Sequence, residues 1–162
     1  MLETEPTAVD SALQRAHKTV DVRLPAHSQQ ATLRAIEDDE LRAIVDGYMD
    51  AWERADVDAI VGMLADQASL TMPPQSEWYR GRDAIAAFLA TRPLTEGNRW
   101  RVVPTHANGQ LAFGHYVERA EGFVAESVAV VTLRDTQIED LTIFRTPALV
   151  ERFALPARLE GY

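Results

Sequence analysis

The apolar residues change their spacing near residue 100, and this change constrains the fold more than any other feature of the sequence. Before it, they recur at helical spacing, most clearly in residues 38–55, where a wide apolar stripe follows three acidic residues. After it, apolar and polar residues alternate, which is typical of half-buried strands. Helices that are segregated from a run of antiparallel strands predict an α+β domain.

The predicted elements are short and closely spaced. We predict helices at residues 38–55, 57–64, 83–91 and 148–153, and strands at residues 68–72, 100–103, 110–118, 123–133 and 138–144. Asp56 suits the N-cap of the second helix, and Asn108-Gly109 is a strong signal for a hairpin turn. Pro73-Pro74 ends the early strand, because proline has no amide hydrogen to donate to a sheet.

Charge is distributed unevenly along the chain. The net charge is −9, yet residues 1–35 hold four basic and four acidic groups and are neutral. An acidic body repels a phosphate backbone, so a contact with nucleic acid would have to come from the first segment. The absence of cysteine excludes disulfides and thiolate metal sites and fits a cytoplasmic protein. No apolar run approaches the ~20 residues of a membrane span, so we predict no membrane partner.

The first 36 residues are predicted to lie outside the main domain. Residues 6–20 have a helical apolar period, and Ser11, Arg15 and Lys18 on this helix could contact phosphates or bases. Residues 21–36 contain a proline and no clear period, so we interpret them as a linker. The predicted division is residues 1–20, the linker 21–36, the domain 37–155 and a tail at 156–162.

Residues 48–60, followed by 64–68, resemble the opening of the nuclear-transport-factor-2-like superfamily, and residues 78–85 resemble its connection into the third helix. The resemblance implies a cone-shaped fold in which three N-terminal helices pack on a curved, mostly antiparallel sheet around an apolar pocket. Members include ketosteroid isomerases, SnoaL-like polyketide cyclases, epoxide hydrolases and non-enzymatic domains, so the fold alone does not name the function.

Residues 8–16 resemble the recognition helix that ends region 4 of bacterial extracytoplasmic-function sigma factors. Some of those sigma factors carry a SnoaL-like domain after a linker. The segments that resemble this fused version are residues 71–74 with 78–81, residues 107–110, and residues 146–149 with 153–156. The chain is identified as the C-terminal part of such a sigma factor. The resemblance implies the sigma core and RNA polymerase as partners, with DNA contacted only through the incomplete N-terminal helix.

The isomerase pattern of the superfamily needs a carboxylate base and an oxyanion hole. Laid on this chain, it matches Tyr48 to the oxyanion tyrosine, but the base falls on Met72 and the protonated aspartate falls near Ala129. Neither residue can move a proton, so the isomerase mechanism is excluded.

No arginine on a predicted strand can be assigned a carboxylate pair of the epoxide-hydrolase kind. A rearranged site would have to use Tyr48 and His115, and we do not predict an enzyme.

The predicted pocket residues are apolar or aromatic side chains, with one histidine among them. They are Tyr48, Trp52, Met72, Trp78, Tyr79, Phe88, Trp100, His115 and Phe144. A core role for these side chains is the alternative. The four histidines are scattered without ligand spacing, so we predict neither a metal nor a cofactor.

Three functions remain open at this point. The first is a regulatory sigma-factor domain that docks on the sigma core or RNA polymerase and binds a small apolar ligand. The second is a SnoaL-like enzyme of the isomerase, polyketide cyclase or epoxide hydrolase type that acts on a small apolar substrate. The third is a dimerisation module, which would make the protein a homodimer. For the first function, we expect residues 146–159 to expose an apolar stripe of Leu149, Val150, Phe153 and Leu155 as the docking contact. Packing of this stripe over the edge of the sheet is the alternative.

Overall fold

The computed structural model describes residues 28–160. The helices are α1 (Gln29–Ala35), α2 (Asp38–Glu53), α3 (Val57–Gly62) and α4 (Arg82–Thr91), and a 3₁₀ helix spans Pro147–Phe153. The strands are β1 (Leu64–Thr71), β2 (Trp78–Arg80), β3 (Trp100–Ala107), β4 (Gln110–Arg119), β5 (Gly122–Arg134), β6 (Gln137–Phe144) and β7 (Arg158–Leu159). No helix of this described part is long and apolar enough to cross a bilayer.

The seven strands form one sheet in the order β2-β1-β6-β5-β4-β3, and β7 pairs with the start of β5. Strands β3 to β6 form an antiparallel meander, whereas β1 joins β6 in parallel. The sheet is therefore mostly antiparallel, with helices packed on one face. The predicted α+β class is confirmed.

The side chains of β4 point alternately to the two faces of the sheet. Leu111, Phe113 and Val117 face the helices and belong to the main core, which includes side chains of α2, α3 and α4. Ala112 and Tyr116 face the other way and belong to a second, smaller core. Because successive side chains of a strand point to opposite faces, one strand serves both cores.

The second core is closed by the C-terminal segment, which contradicts the predicted exposed stripe. Val150 and Leu155 are buried there, with Phe153 packed beside them. The hydroxyl of Tyr116 donates to the carbonyl of Pro156 at 2.8 Å, and Thr105 donates to the carbonyl of Phe153 at 2.9 Å. Val150, Phe153 and Leu155 thus cover the outer face of their own sheet and do not form an exposed stripe, whereas Leu149 is half-buried.

The described part of the predicted linker also differs from expectation, because it contains helix α1. Ser28 caps this helix by accepting from the Ala31 amide. The side chain of Gln29 exchanges two hydrogen bonds with the backbone of Leu133, each of 2.8 Å, and so pairs with β5 much as a strand residue would. The predicted helix at residues 6–20, with Ser11, Arg15 and Lys18, lies outside the described residues.

Local signals in the sequence account for several boundaries. Asp56 caps α3 by accepting from the Ala59 amide at 2.9 Å. Asn108 and Gly109 both have positive φ, as the predicted two-residue turn between β3 and β4 requires. Strand β3 continues through Pro104 to Ala107, beyond its predicted end. It is an edge strand, where a missing amide hydrogen is tolerated.

Candidate ligand-binding site

A cavity of about 230 Å³ lies between the helices and the inner face of the sheet. Its apolar wall is built by Trp52 of α2, Met72 after β1, Phe88 of α4, Trp100 of β3, Val117 of β4 and Ile143 of β6. These elements are far apart in sequence, so the cavity depends on the complete fold. Its size is below the ~300–1,000 Å³ of ordinary ligand sites, which limits it to a small ligand.

Four of the predicted pocket residues line this cavity, namely Trp52, Met72, Phe88 and Trp100. Tyr79 does not reach the cavity, because it stacks on Phe88 with ring centroids 4.6 Å apart. Met72, the residue at the isomerase base position, therefore presents a thioether to the cavity in place of a carboxylate. Ala129, at the other isomerase position, is fully buried in the main core.

Two predicted pocket residues lie elsewhere. Trp78 is 64% exposed on the edge strand β2, where no neighbouring element covers it. Phe144 is replaced on the cavity wall by Ile143. Adjacent residues of a strand face opposite sides of the sheet. The prediction of Phe144 was therefore wrong by one residue, because Ile143 is the residue of this pair that faces the cavity.

Tyr48 and His115 lie behind the wall and are joined by a hydrogen bond. The Tyr48 hydroxyl is 3.1 Å from His115 Nε2, and the Ser127 hydroxyl is 3.2 Å from His115 Nδ1. A neutral imidazole donates from one nitrogen and accepts at the other, so both ring nitrogens are satisfied in either tautomer. Of the three residues, Ser127 is the one that lines the cavity.

Burial sets the protonation of this chain of hydroxyls and imidazole. Desolvation lowers the pKa of His115 to about 3, because the charged imidazolium loses its hydration. Desolvation also raises the pKa of Tyr48 above its usual range, and the nearby indole of Trp52 offsets only part of the rise. Both residues are therefore neutral near pH 7. The imidazole also stacks on Trp52, with centroids 4.3 Å apart, which places an aromatic ring against its face.

A β-bulge brings two consecutive residues of β5 to the cavity. His115 pairs with Ser127 but Tyr116 pairs with Ala125, so Glu126 is the extra residue. In a regular strand Glu126 would face away from Ser127, whereas both line the cavity here. Neither residue was predicted, because a bulge leaves no clear signal in a valine-rich strand.

Arginines surround the open side of the cavity. Arg119 ends β4 and Arg145 follows β6, and these two strands run in the same direction on either side of β5. Arg145 pairs with Glu126 at 2.9 Å. Arg92, at the end of α4, also lines the cavity and lies 3.7 Å from Glu77. Arg145 therefore has one carboxylate partner at the cavity, whereas the epoxide-hydrolase pattern needs a pair of them.

Residues 45–141 match the family model described as SnoaL-like domain, which covers more than half of the chain. The chain belongs to the SnoaL-like domain family. The predicted resemblance to this superfamily is thus confirmed.

Relatives extend the similarity of this SnoaL-like chain beyond the domain itself. The extracytoplasmic-function (ECF) RNA polymerase sigma factor SigG of Mycobacterium tuberculosis is 27% identical over 157 residues. This match covers 96% of the chain and 42% of SigG, so the chain spans about two fifths of the length of this curated relative. The predicted resemblance to sigma factors that carry a SnoaL-like domain is confirmed at this level.

Solved structures share the fold at low sequence identity. An NTF-2 like protein of unknown function from Burkholderia xenovorans aligns with a TM-score of 0.55 and 17% identity, covering 76% of this chain and 90% of its own. A putative ketosteroid isomerase from Kribbella flavida aligns with a TM-score of 0.53 and 18% identity, covering 67% and 78%. At these identities the likeness concerns the fold alone.

The cavity of this SnoaL-like domain has few polar groups. A molecule in it meets apolar walls, the Ser127 hydroxyl, the Asn98 amide, and the arginines together with Glu126, which forms an ion pair with Arg145. No described residue group of three or more histidines or carboxylates is arranged to hold a metal ion. Apolar walls with a few polar groups on one side are the usual arrangement of a site that binds a small molecule.

Proposed function

We propose that this chain is the regulatory C-terminal domain of an ECF sigma factor, and that it modulates transcription initiation in the cytoplasm. The observation that carries the proposal is the extent of the match to SigG. It covers 157 residues, whereas the SnoaL-like domain itself covers residues 45–141, so the similarity continues into the segments on both sides. An unrelated enzyme of the same fold would share the domain without those flanks.

The chemistry of the cavity supports regulation over catalysis. The isomerase base position is Met72, and the two titratable candidates, Tyr48 and His115, are buried behind the wall. The carboxylate at the cavity, Glu126, is held in an ion pair with Arg145 at 2.9 Å. An imidazole whose pKa lies near 3 is a weak base, so it gives the Ser127 hydroxyl little activation. We therefore propose that a ligand entering this cavity is bound and not transformed.

The docking contact that we propose is Trp78 on β2. Among residues 28–160, Trp78 is the large apolar side chain that is exposed to solvent. It lies on an edge strand, at the opposite end of the sheet from β3. Tryptophan is enriched among the residues that dominate binding energy at protein interfaces. The partner would be either the sigma core of the longer protein or the RNA polymerase to which that protein binds. The C-terminal segment, which was the earlier candidate, is buried against its own sheet.

An enzyme with a rearranged site remains the second candidate, and one observation favours it. The Tyr48–His115–Ser127 chain of hydrogen bonds ends on the cavity wall. If it were catalytic, Ser127→Ala would abolish turnover of a small apolar substrate while leaving binding intact.

The docking proposal is tested by promoter-dependent transcription in vitro with the longer protein and its Trp78→Ala variant. We expect Trp78→Ala to change transcript yield by several-fold, because loss of an interface tryptophan costs about 1 kcal/mol or more, which is roughly fivefold in affinity. Trp78→Phe is the matched control and should retain most of the wild-type yield. Unchanged yield in Trp78→Ala would contradict docking through this strand.

A further inference from the structure

The cavity is a positively charged site in an acidic protein. The charged residues that line it are Arg92, Arg119, Arg145 and Glu126, which is three positive groups against one negative group. The whole chain carries a net charge of −9. A local excess of one sign at a cleft with apolar walls concentrates ligands of the opposite sign.

Another cavity of the same domain shows the opposite balance. The groove between α1 and the β5–β6 turn is lined by Glu40, Asp135 and Glu139, with Arg134 as its basic residue. The positive excess of the first cavity is thus not shared by this groove, and it does not follow from the overall composition.

The arginines at the cavity differ in how far they are already neutralised. Arg145 forms an ion pair with Glu126 at 2.9 Å, and Arg92 forms one with Glu77 at 3.7 Å. Arg119 donates to the backbone carbonyl of Glu118, and no carboxylate of residues 28–160 forms an ion pair with it. Its guanidinium therefore has donors left for an anion, and the planar fork of arginine matches a carboxylate.

The walls define the rest of the ligand. Trp52, Phe88 and Trp100 present aromatic surface, and Trp100 is held in place because its Nε1 donates to the Pro93 carbonyl at 2.9 Å. Flat aromatic bodies pack well against such rings. From this combination we infer that the cavity takes a small aromatic carboxylate, with its rings against the tryptophans and its carboxylate at Arg119 and Arg145. The inference rests on the proposed function, which makes the cavity a receiving site for a ligand.

The test compares 2-naphthoate with 2-naphthamide, which has nearly the same shape and no charge, by isothermal titration calorimetry on the full chain at neutral pH. We expect 2-naphthoate to bind about tenfold more tightly, because a charge-assisted hydrogen bond contributes more than a neutral one. Added salt should weaken the binding of 2-naphthoate and leave that of 2-naphthamide unchanged.

Charge variants give effects of opposite sign. Arg119→Gln should lower the affinity for 2-naphthoate about two- to fivefold without affecting 2-naphthamide, since it removes one partly exposed charge contact. Glu126→Gln should raise the affinity for 2-naphthoate, because it removes the negative group and frees Arg145. Arg152→Gln, an equal change of charge on the exposed 3₁₀ helix, is the control and should change neither affinity.

Several outcomes would overturn the inference. If both probes bound equally, or if Arg119→Gln and Arg152→Gln had the same effect, the carboxylate specificity would be wrong, while a ligand-receiving cavity would stand. If neither probe bound, the aromatic carboxylate would be excluded. In that case the regulatory proposal would depend on docking alone, which the transcription assay tests separately.

Discussion

His115 should make the stability of this domain depend on pH between neutrality and pH 5. Its imidazole is enclosed by Tyr48, Trp52, Trp100 and Ser127, none of which carries a charge at these pH values. Burial lowers its pKa from 6.5 to about 3 in the folded state. In the unfolded chain the imidazole is solvated and returns to its ordinary pKa.

The sign and size of the effect follow from these two values. As the pH falls below about 6.5, the unfolded chain binds a proton at His115 and the folded chain does not. The free energy of unfolding therefore decreases, and the loss continues until the pH reaches the folded pKa near 3. Between pH 7 and pH 5 this one side chain accounts for a loss of about 2 kcal/mol.

The variant His115→Gln isolates this contribution. Glutamine keeps a donor and an acceptor for Tyr48 and Ser127 but does not titrate. Carboxylates titrate in both proteins and cancel in the comparison. We expect wild type to lose about 2 kcal/mol more than His115→Gln when the pH is lowered from 7 to 5.

Urea unfolding followed by far-ultraviolet circular dichroism at several pH values measures the difference. His106→Gln is the matched control, since His106 is exposed on β3, and it should keep the pH dependence of wild type. The reasoning would be refuted if wild type and His115→Gln lost equal stability. It would also be refuted if the His115 ring of the folded wild type titrated near pH 6.5 in an NMR experiment.

Two further predictions concern the outer face of the sheet. Gly114→Ala would place a methyl group 2.5 Å from the Cδ1 atom of Leu155, so it should cost about 1–3 kcal/mol of stability in urea unfolding, and Leu155→Ala in the same chain should reduce that cost. Equal losses with and without Leu155→Ala would contradict the contact. Removal of residues 147–162 should lower the melting temperature by several degrees, because it uncovers Tyr116 and Phe123. An unchanged melting temperature would show that this segment does not stabilise the fold.

The sequence predicts the fold well where a local signal determines the structure. The apolar stripe of α2, the Asp56 cap and the Asn108-Gly109 turn each depend on neighbouring residues, and each is observed. The sequence predicts the structure less well where a contact between distant segments determines it. Helix α1 has no strong apolar period, and it is held by Gln29, whose partner Leu133 lies 104 residues away.

The candidate site was predicted only in part, because some of its features depend on contacts between distant segments. The wall residues Trp52, Met72 and Trp100 are large and apolar, and most such residues lie on the inner side of this fold. The polar features were missed, because they depend on the bulge at Glu126 and on the two strands that end beside it. A one-residue shift in a strand exchanges the faces, so the charged side of the cavity could not be found from alternation alone.

We propose that this SnoaL-like domain forms the C-terminal part of a longer protein and regulates transcription by it. The most direct measurement is promoter-dependent transcription in vitro by RNA polymerase with that longer protein, either intact or ending before Asp38. We predict that removing the domain changes transcript yield at equal protein concentration. Equal yields from the intact and shortened proteins, at all polymerase concentrations tested, would contradict the account.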